Sequence, residues 1–207
     1  MKNTTTRWGV DEAGRGPLLG PLVVATVRVP SDEEWIESSE VKDSKHLTSE
    51  QRERLADQIS ARYNYRAIVI SPPEIDHAVN VPTDSLTQLE IRYIKKLLDG
   101  NTDEHIIIDA PTRHNPFDKD NIVYEHKADE TYKCVGAASI IAKTIRDKSI
   151  QRLQEEVGAE IGSGYPSDPT TKEYIETANI NQYFIRKSWQ PIKDIRANRE
   201  QQRLTTS

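Results

Sequence analysis

The densest chemical signal in the chain is Asp11-Glu12-Ala13-Gly14-Arg15-Gly16-Pro17, where two adjacent carboxylates run into a Gly-Arg-Gly turn. Adjacent carboxylates repel, and on a regular strand successive side chains point to opposite faces. If both serve one site, the backbone there must be irregular, for which the glycines give latitude. Gly14 and Gly16 would also let main-chain groups approach a ligand with no side chain in the way. An ordinary exposed turn is the competing reading. Asp109 comes directly after Ile106, Ile107 and Ile108, at the carboxyl end of a strand expected to be buried on both faces, and ligand sites of α/β sheets collect at such ends. A carboxylate beside a core needs a metal or a cationic partner; Arg113 is the alternative to a metal. Asp129 precedes a long helical segment, where an N-cap role competes with a role as a further metal-site carboxylate.

Together Asp11, Glu12, Asp109 and Asp129 would supply only oxygen ligands, which suits Mg²⁺ or Mn²⁺ rather than zinc. The five histidines show no pair at zinc-ligand spacing, and the single cysteine, Cys134, cannot build a thiolate site. Carboxylates holding one or two hard cations are what phosphodiester hydrolysis needs, one ion activating water and the other stabilising the leaving 3′ oxygen. A phosphoryl-transfer nuclease is the chemistry these residues point to.

Positioning such a set takes a sheet. Leu22 to Val29 reads as a strand between Pro21 and Pro30, preceded by a strand entered through Arg7 to Val10 and joined to it by an unusual turn. Thr48 or Ser49 opens a helix with Leu55, Ile59 and Tyr63 on one face, Tyr65 to Ile70 gives a strand ending before Pro72 and Pro73, and Asp84 to Leu98 gives a second helix. Ile106 to Ile108 and Ile122 to Tyr124 are short strands, Tyr132 to Leu153 reads as a largely buried helix, and Thr171 to Asn179 and Ile192 to Arg203 close the chain as helices. An α/β or α+β domain around a mixed sheet follows.

With 207 residues, 35% hydrophobic and 29% charged, the composition is that of a water-exposed globular protein, and no apolar run approaches the roughly 20 residues of a membrane span. The short polar stretch Met1 to Arg7 lacks a secretory pattern, so a cytoplasmic, disulfide-free protein is expected. The net charge of −5 speaks against a pure nucleic-acid binding module, since such binding rests on phosphate neutralisation. Arg186, Lys187, Lys193, Arg196, Arg199 and Arg203 nevertheless outnumber Asp194 and Glu200 at the end of the chain, a candidate basic arm or an ordinary solvated helix face. Gln201 to Ser207 lacks the paired aromatics of a sliding-clamp peptide.

The segments GVDEAGRGPLLGPLVVA (Gly9 to Ala25), KDSKHLT (Lys42 to Thr48), IIIDAP (Ile106 to Pro111), KADETYKCVGAASIIAK (Lys127 to Lys143), SGYPSDP (Ser163 to Pro169) and RKSW (Arg186 to Trp189) resemble, in this order, the type 2 ribonucleases H (ribonuclease HII) in their archaeal and eukaryotic version. The resemblance implies a ribonuclease H-like fold, a five-stranded mixed sheet flanked by helices, with a catalytic core over 1–150 and a C-terminal helical region over 151–207 contributing to substrate binding. It implies endonucleolytic cutting of RNA–DNA hybrids, incision at ribonucleotides embedded in DNA, 5′-phosphate and 3′-hydroxyl products, and roles in ribonucleotide excision and primer removal during DNA replication. It maps the four carboxylates onto catalysis and Mg²⁺ or Mn²⁺ binding. Gly14, Arg15 and Gly16 would read ribose 2′-hydroxyls through main-chain groups. Tyr165 would stack beside the scissile phosphate, and Lys45 and Lys143 would lie near the substrate backbone. A monomer is expected. The alternatives are another nuclease of the same broad fold, such as a junction resolvase, and a binding module with a merely structural acidic cluster.

Overall fold

The β-branched run after Pro21 forms a nine-residue strand, β2 (Leu22–Pro30), paired antiparallel with β1 (Thr6–Ala13). In the computed structural model, which describes residues 5–38, 41, 47–99, 104–117 and 119–205, these two join β3 (Asn64–Ile70), β4 (His105–Asp109) and β5 (Ile122–Glu125) in one sheet of order β3-β2-β1-β4-β5. β4 runs parallel to both β1 and β5, so the sheet is mixed and β1 is an interior strand. The isoleucines of β4 are buried, as a strand covered on both faces requires.

The helices are α1 (Glu34–Ser38), α2 (Ser49–Arg62), α3 (Pro72–Asn80), α4 (Leu86–Leu98), α5 (Ala128–Thr131), α6 (Lys133–Val157), α7 (Pro169–Thr177) and α8 (Gln190–Thr205). Thr48 caps α2, its hydroxyl accepting from the Gln51 amide while the Gln51 side chain accepts from the Thr48 amide. Where Pro72 and Pro73 signal only the end of a strand in sequence, they also open α3. Proline is tolerated at the first helical positions because no intrahelical partner awaits its missing N–H, and Glu74 reaches back to the Ser71 amide at 3.1 Å.

By packing the chain divides into two compact units, Met1–Ala13, Val23–Val69 and Thr87–Ile145 in the first, Gly14–Leu22, Ile70–Leu86 and Arg146–Ser207 in the second. These are groups by contact and say nothing of the division by role at residue 150, which stays a proposal. In the first unit Val23, Ala25, Val27 and Val29 alternate onto one face of β2 and bury against the Ala- and Ile-rich part of α6 and Leu55 and Ile59 of α2. α6 lies so close to β1 that a Cβ at Gly9 would stand 2.1 Å from the Cys134 backbone. The second unit has its own core, in which Leu18, Leu19, Ile150, Leu153, Ile161, Ile175 and Phe184 are buried together. Among the described residues no helix is long and apolar enough to cross a membrane.

Candidate active site

Parallel pairing of β1 with β4 ends at Val10↔Ile108, so the next residues on the two neighbouring strands are Asp11 and Asp109. The third carboxylate comes from α5. Lys127, in the left-handed region at φ 62, turns the chain off β5 and precedes that short helix, and the Ala128 amide donates to Asp109 Oδ1 at 3.2 Å. The result is a cluster in which carboxylate oxygens of Asp11, Asp109 and Asp129 lie within 4.8 Å of one another. Asp129 is not the N-cap that its place before a helix suggests. Lys127 holds that position, and Asp129 sits inside the first turn, only 6% exposed. Among the described residues Asp109 forms no ion pair with Arg113.

The electrostatics of the cluster are those of a site short of positive charge. Burial pushes the Asp11 carboxyl up to about 7; the buried Ser139 hydroxyl beside it opposes the rise, the Asp109 charge adds to it, and Lys143 on α6 opposes it again. Asp109 is also raised, by burial first and by the Asp129 charge second. Three crowded oxygen donors with no nitrogen or sulfur among them fit one or two hard divalent cations, and such a cation would relieve both causes.

Glu12 departs from the expected picture in one respect. The pairing of β1 with β2 stays regular through Asp11↔Ala25, Glu12↔Val24 and Ala13↔Val23, so no irregular backbone gathers the two carboxylates, and Glu12 is not part of the three-residue cluster. Its amide does donate to Asp11 Oδ1 at 2.7 Å, which fixes that carboxylate. The irregularity starts two residues later, at Gly14.

Gly14 has φ +91, and a Cβ there would meet the Pro21 carbonyl oxygen at 2.6 Å, so the chain itself demands glycine. Gly16 is different. It is exposed, and a Cβ would meet nothing within 4 Å. The turn is held from behind by Arg186, which is fully buried and donates to the carbonyls of Gly14 at 2.5 Å, Arg15 at 3.1 Å and Gly20 at 3.0 Å. Residues beyond the turn are stitched by backbone bonds from Leu18 to Gly164, from Gly20 to Phe184 and from Arg186 to Leu18.

Tyr165 belongs to the same unit. Its loop is closed by Asp168, which accepts from the Ser163 amide at 2.5 Å and caps α7 through the Thr170 amide at 3.0 Å. The ring is 37% exposed, with the guanidinium of Arg146 4.8 Å from its centroid. Lys45 lies outside the described residues.

Sequence reasoning missed the two arginines. Arg186 was countable only as part of a basic arm, yet it is buried, and Arg199 turns inward to cap the carbonyls of Ile175 and Ala178, while Arg196 pairs with Glu200. The arm is therefore less basic than its composition. The available signal was the placement of Arg186 within RKSW, beside Ser188, whose amide and hydroxyl both bond Asp76.

A mixed sheet of order β3-β2-β1-β4-β5 flanked by helices is the ribonuclease H fold, and an oxygen-only acidic cluster stands where β1 and β4 end. The family model described as Ribonuclease HII matches residues 8–192, and the chain belongs to that family, an endoribonuclease and hydrolase. The Ribonuclease HII of Pyrococcus furiosus is 40% identical over 90% of this chain and 89% of its own. The crystal structure of the ribonuclease H2 from Pyrococcus horikoshii superposes with a TM-score of 0.81 at 33% identity, covering 94% of this chain and 98% of that one. The Archaeoglobus fulgidus protein, solved as a PCNA:RNase HII complex, gives 0.79 at 33% identity over 92% and 96%.

Proposed function

We propose that this chain cuts the RNA strand of RNA–DNA hybrids and incises duplex DNA at single embedded ribonucleotides, leaving 5′-phosphate and 3′-hydroxyl ends. The observation that carries the reading is the convergence of the Asp11, Asp109 and Asp129 oxygens in a chain of this family. Mg²⁺ or Mn²⁺ held there would activate water and stabilise the departing 3′ oxygen. Glu12 orders the Asp11 carboxylate through its amide and contributes its own carboxylate to cation binding. Lys143, close enough to Asp11 to lower its proton affinity, offers its ammonium to a substrate phosphate, and Lys45 has the same assignment.

Gly14, Arg15 and Gly16 read the ribose 2′-hydroxyl through the main chain. The open space over Gly16 supports this, since none of the described residues would meet a side chain at that position. Tyr165 offers a half-exposed ring to the nucleotide next to the cut, and base-independent stacking of this kind suits an enzyme without sequence preference. The working unit is a monomer with a nucleic-acid duplex as its partner. A cytoplasmic setting suits a chain whose one cysteine, Cys134, is a buried free thiol.

The test is cleavage of a DNA duplex carrying one ribonucleotide, with Mg²⁺, Mn²⁺ or EDTA, mapped at nucleotide resolution. Metal-dependent incision on the 5′ side of the ribonucleotide is expected. Cutting of uniform DNA or four-way junctions in its place would reassign the substrate, and hybrid binding without cutting under any cation would leave only a binding protein.

A further inference from the structure

Arg146 lies where α6 enters the second unit, and its side chain is only 4% exposed. One guanidinium nitrogen donates to the Ser163 carbonyl, two residues before Tyr165, and another donates to Asp147 at 3.3 Å. The guanidinium lies 4.8 Å from the centroid of the Tyr165 ring. The Cγ of the same side chain would stand 3.4 Å from a Cβ at Gly14. Nε is buried with no hydrogen-bond partner. A single arginine thus lies beside Gly14 of the Gly-Arg-Gly turn, bonds the carbonyl that leads into the tyrosine loop, and faces the tyrosine ring.

That arrangement is more specific than packing requires. A buried N–H left without an acceptor is costly, so an apolar side chain of similar length would fill the space at lower cost if filling were all that mattered. What an apolar side chain cannot do is hold an aromatic ring from one side by cation–π attraction while bonding the loop that carries it. Lysine would not replace it either, because an ammonium has neither the planar surface nor the fork of donors.

We infer that Arg146 is a positioning residue for specificity: it sets the Tyr165 ring against the Gly14 turn, so that recognition of the 2′-hydroxyl and stacking on the neighbouring nucleotide occur in fixed register. The inference rests on the roles given above to Tyr165 and the turn. A fixed distance between the two readers matters most for a lone ribonucleotide, where one 2′-hydroxyl and one RNA-to-DNA junction must both be met. In a continuous hybrid every register presents a 2′-hydroxyl, so a displaced ring loses less.

The experiment compares kcat/KM on a duplex with one embedded ribonucleotide and on a continuous hybrid, for wild type, Arg146→Lys, Tyr165→Ala and the double variant, with thermal unfolding of each. Arg146→Lys is expected to lower the ratio of embedded to continuous cleavage by roughly 3- to 30-fold, the range of a partly desolvated cation–π contact. In the Tyr165→Ala background it is expected to lower that ratio no further, because contacting residues are not additive. Equal losses on both substrates, or a ratio effect undiminished in the double variant, would overturn the inference. A ratio lowered by Tyr165→Ala and not by Arg146→Lys would overturn it while sparing the tyrosine reading; a ratio indifferent to Tyr165→Ala would remove both. Should Arg146→Lys unfold below the assay temperature, the same comparison is read on Arg146→Gln, whose planar amide keeps one donor for the Ser163 carbonyl.

Discussion

Replacing Asp11 by Asn is expected to stabilise the metal-free protein while destroying its activity. The Asp11 carboxyl moves from its ordinary value of 3.8 up to about 7, with burial the main cause and the Asp109 charge adding to it. At ~1.4 kcal/mol for each tenfold change in proton affinity, the ionised form costs the fold about 4 kcal/mol. Below pH 3.8 the carboxyl is protonated in folded and unfolded chains alike, and the cost is nil. Between that pH and about 7 the unfolded chain ionises first, so the folded state binds more protons and stability falls as pH rises. Above that window the cost is constant. Asparagine carries no charge at any pH, so the variant's advantage grows from near zero in acid to its full value in mild alkali. An imperfectly bonded buried amide subtracts about 1 kcal/mol, but equally at every pH.

The signature is therefore the change with pH. Between pH 5 and pH 8 the advantage of Asp11→Asn widens by about 2 kcal/mol or slightly more, which for a chain of this length is roughly 4–10 °C in Tm. Thermal unfolding followed by circular dichroism in EDTA measures it. Adding Mn²⁺ to about a thousand times its Kd then reverses the order, because a cation at that level stabilises the wild type by about 4.1 kcal/mol, more than the variant's lead of about 3 kcal/mol, and finds one ligand fewer in the variant. A wild type as stable as the variant in EDTA at pH 8, with no divergence from pH 5, would refute the account of Asp11 as a charge awaiting a cation.

Asp109→Asn is expected to reduce kcat by roughly a thousandfold or more, the several kcal/mol that a correctly held cation supplies, and activity near the wild-type level would dissolve the metal-site assignment. Gly14→Ala should cost about 1–3 kcal/mol in urea unfolding because its positive φ is strained for alanine, whereas Gly16→Ala should leave stability within ~0.5 kcal/mol and raise KM for the hybrid. Equal destabilisation by both changes would mean that packing alone explains the turn. Tyr165→Ala is expected to impair cutting at a lone ribonucleotide more than cutting of a continuous hybrid, measured as the ratio of kcat/KM values.

The carboxylates were legible in sequence because their surroundings are local. Three isoleucines announce the strand that delivers Asp109, and the acidic pair before a glycine turn marks the end of β1. What sequence could not show is which neighbour each one meets, since the convergence of Asp11 with Asp109 depends on the parallel register of β1 with β4, a pairing between residues far apart in the chain. Asp129 carried two readings in sequence, helix cap and metal-site carboxylate, and the structure makes it a buried cluster member because α5 is separated from α6 at Tyr132. α3 was hidden because proline reads as a terminator unless the Ser71 to Glu74 box is weighed with it. Arg146 and Arg186 were invisible as scaffolding, because nothing in a charge pattern distinguishes an arginine facing water from one spent on main-chain carbonyls.

The two halves of the chemistry are held by different physical means, and this predicts how they fail. Asp11 and Asp109 are placed by strand register, which changes of their own side chains leave intact, so they tolerate substitution structurally and lose only the ligand role proposed for them. The turn proposed to read the substrate has no such frame. Gly14 occupies a conformation closed to other residues, and its carbonyl, with those of Arg15 and Gly20, is anchored on the one buried guanidinium of Arg186. Lysine at that position would leave at least one of those carbonyls without its donor, and a buried unpaired acceptor costs about 1–3 kcal/mol. Damage to the turn therefore reaches stability and substrate reading together, whereas damage to the metal cluster separates chemistry from stability and moves them in opposite directions.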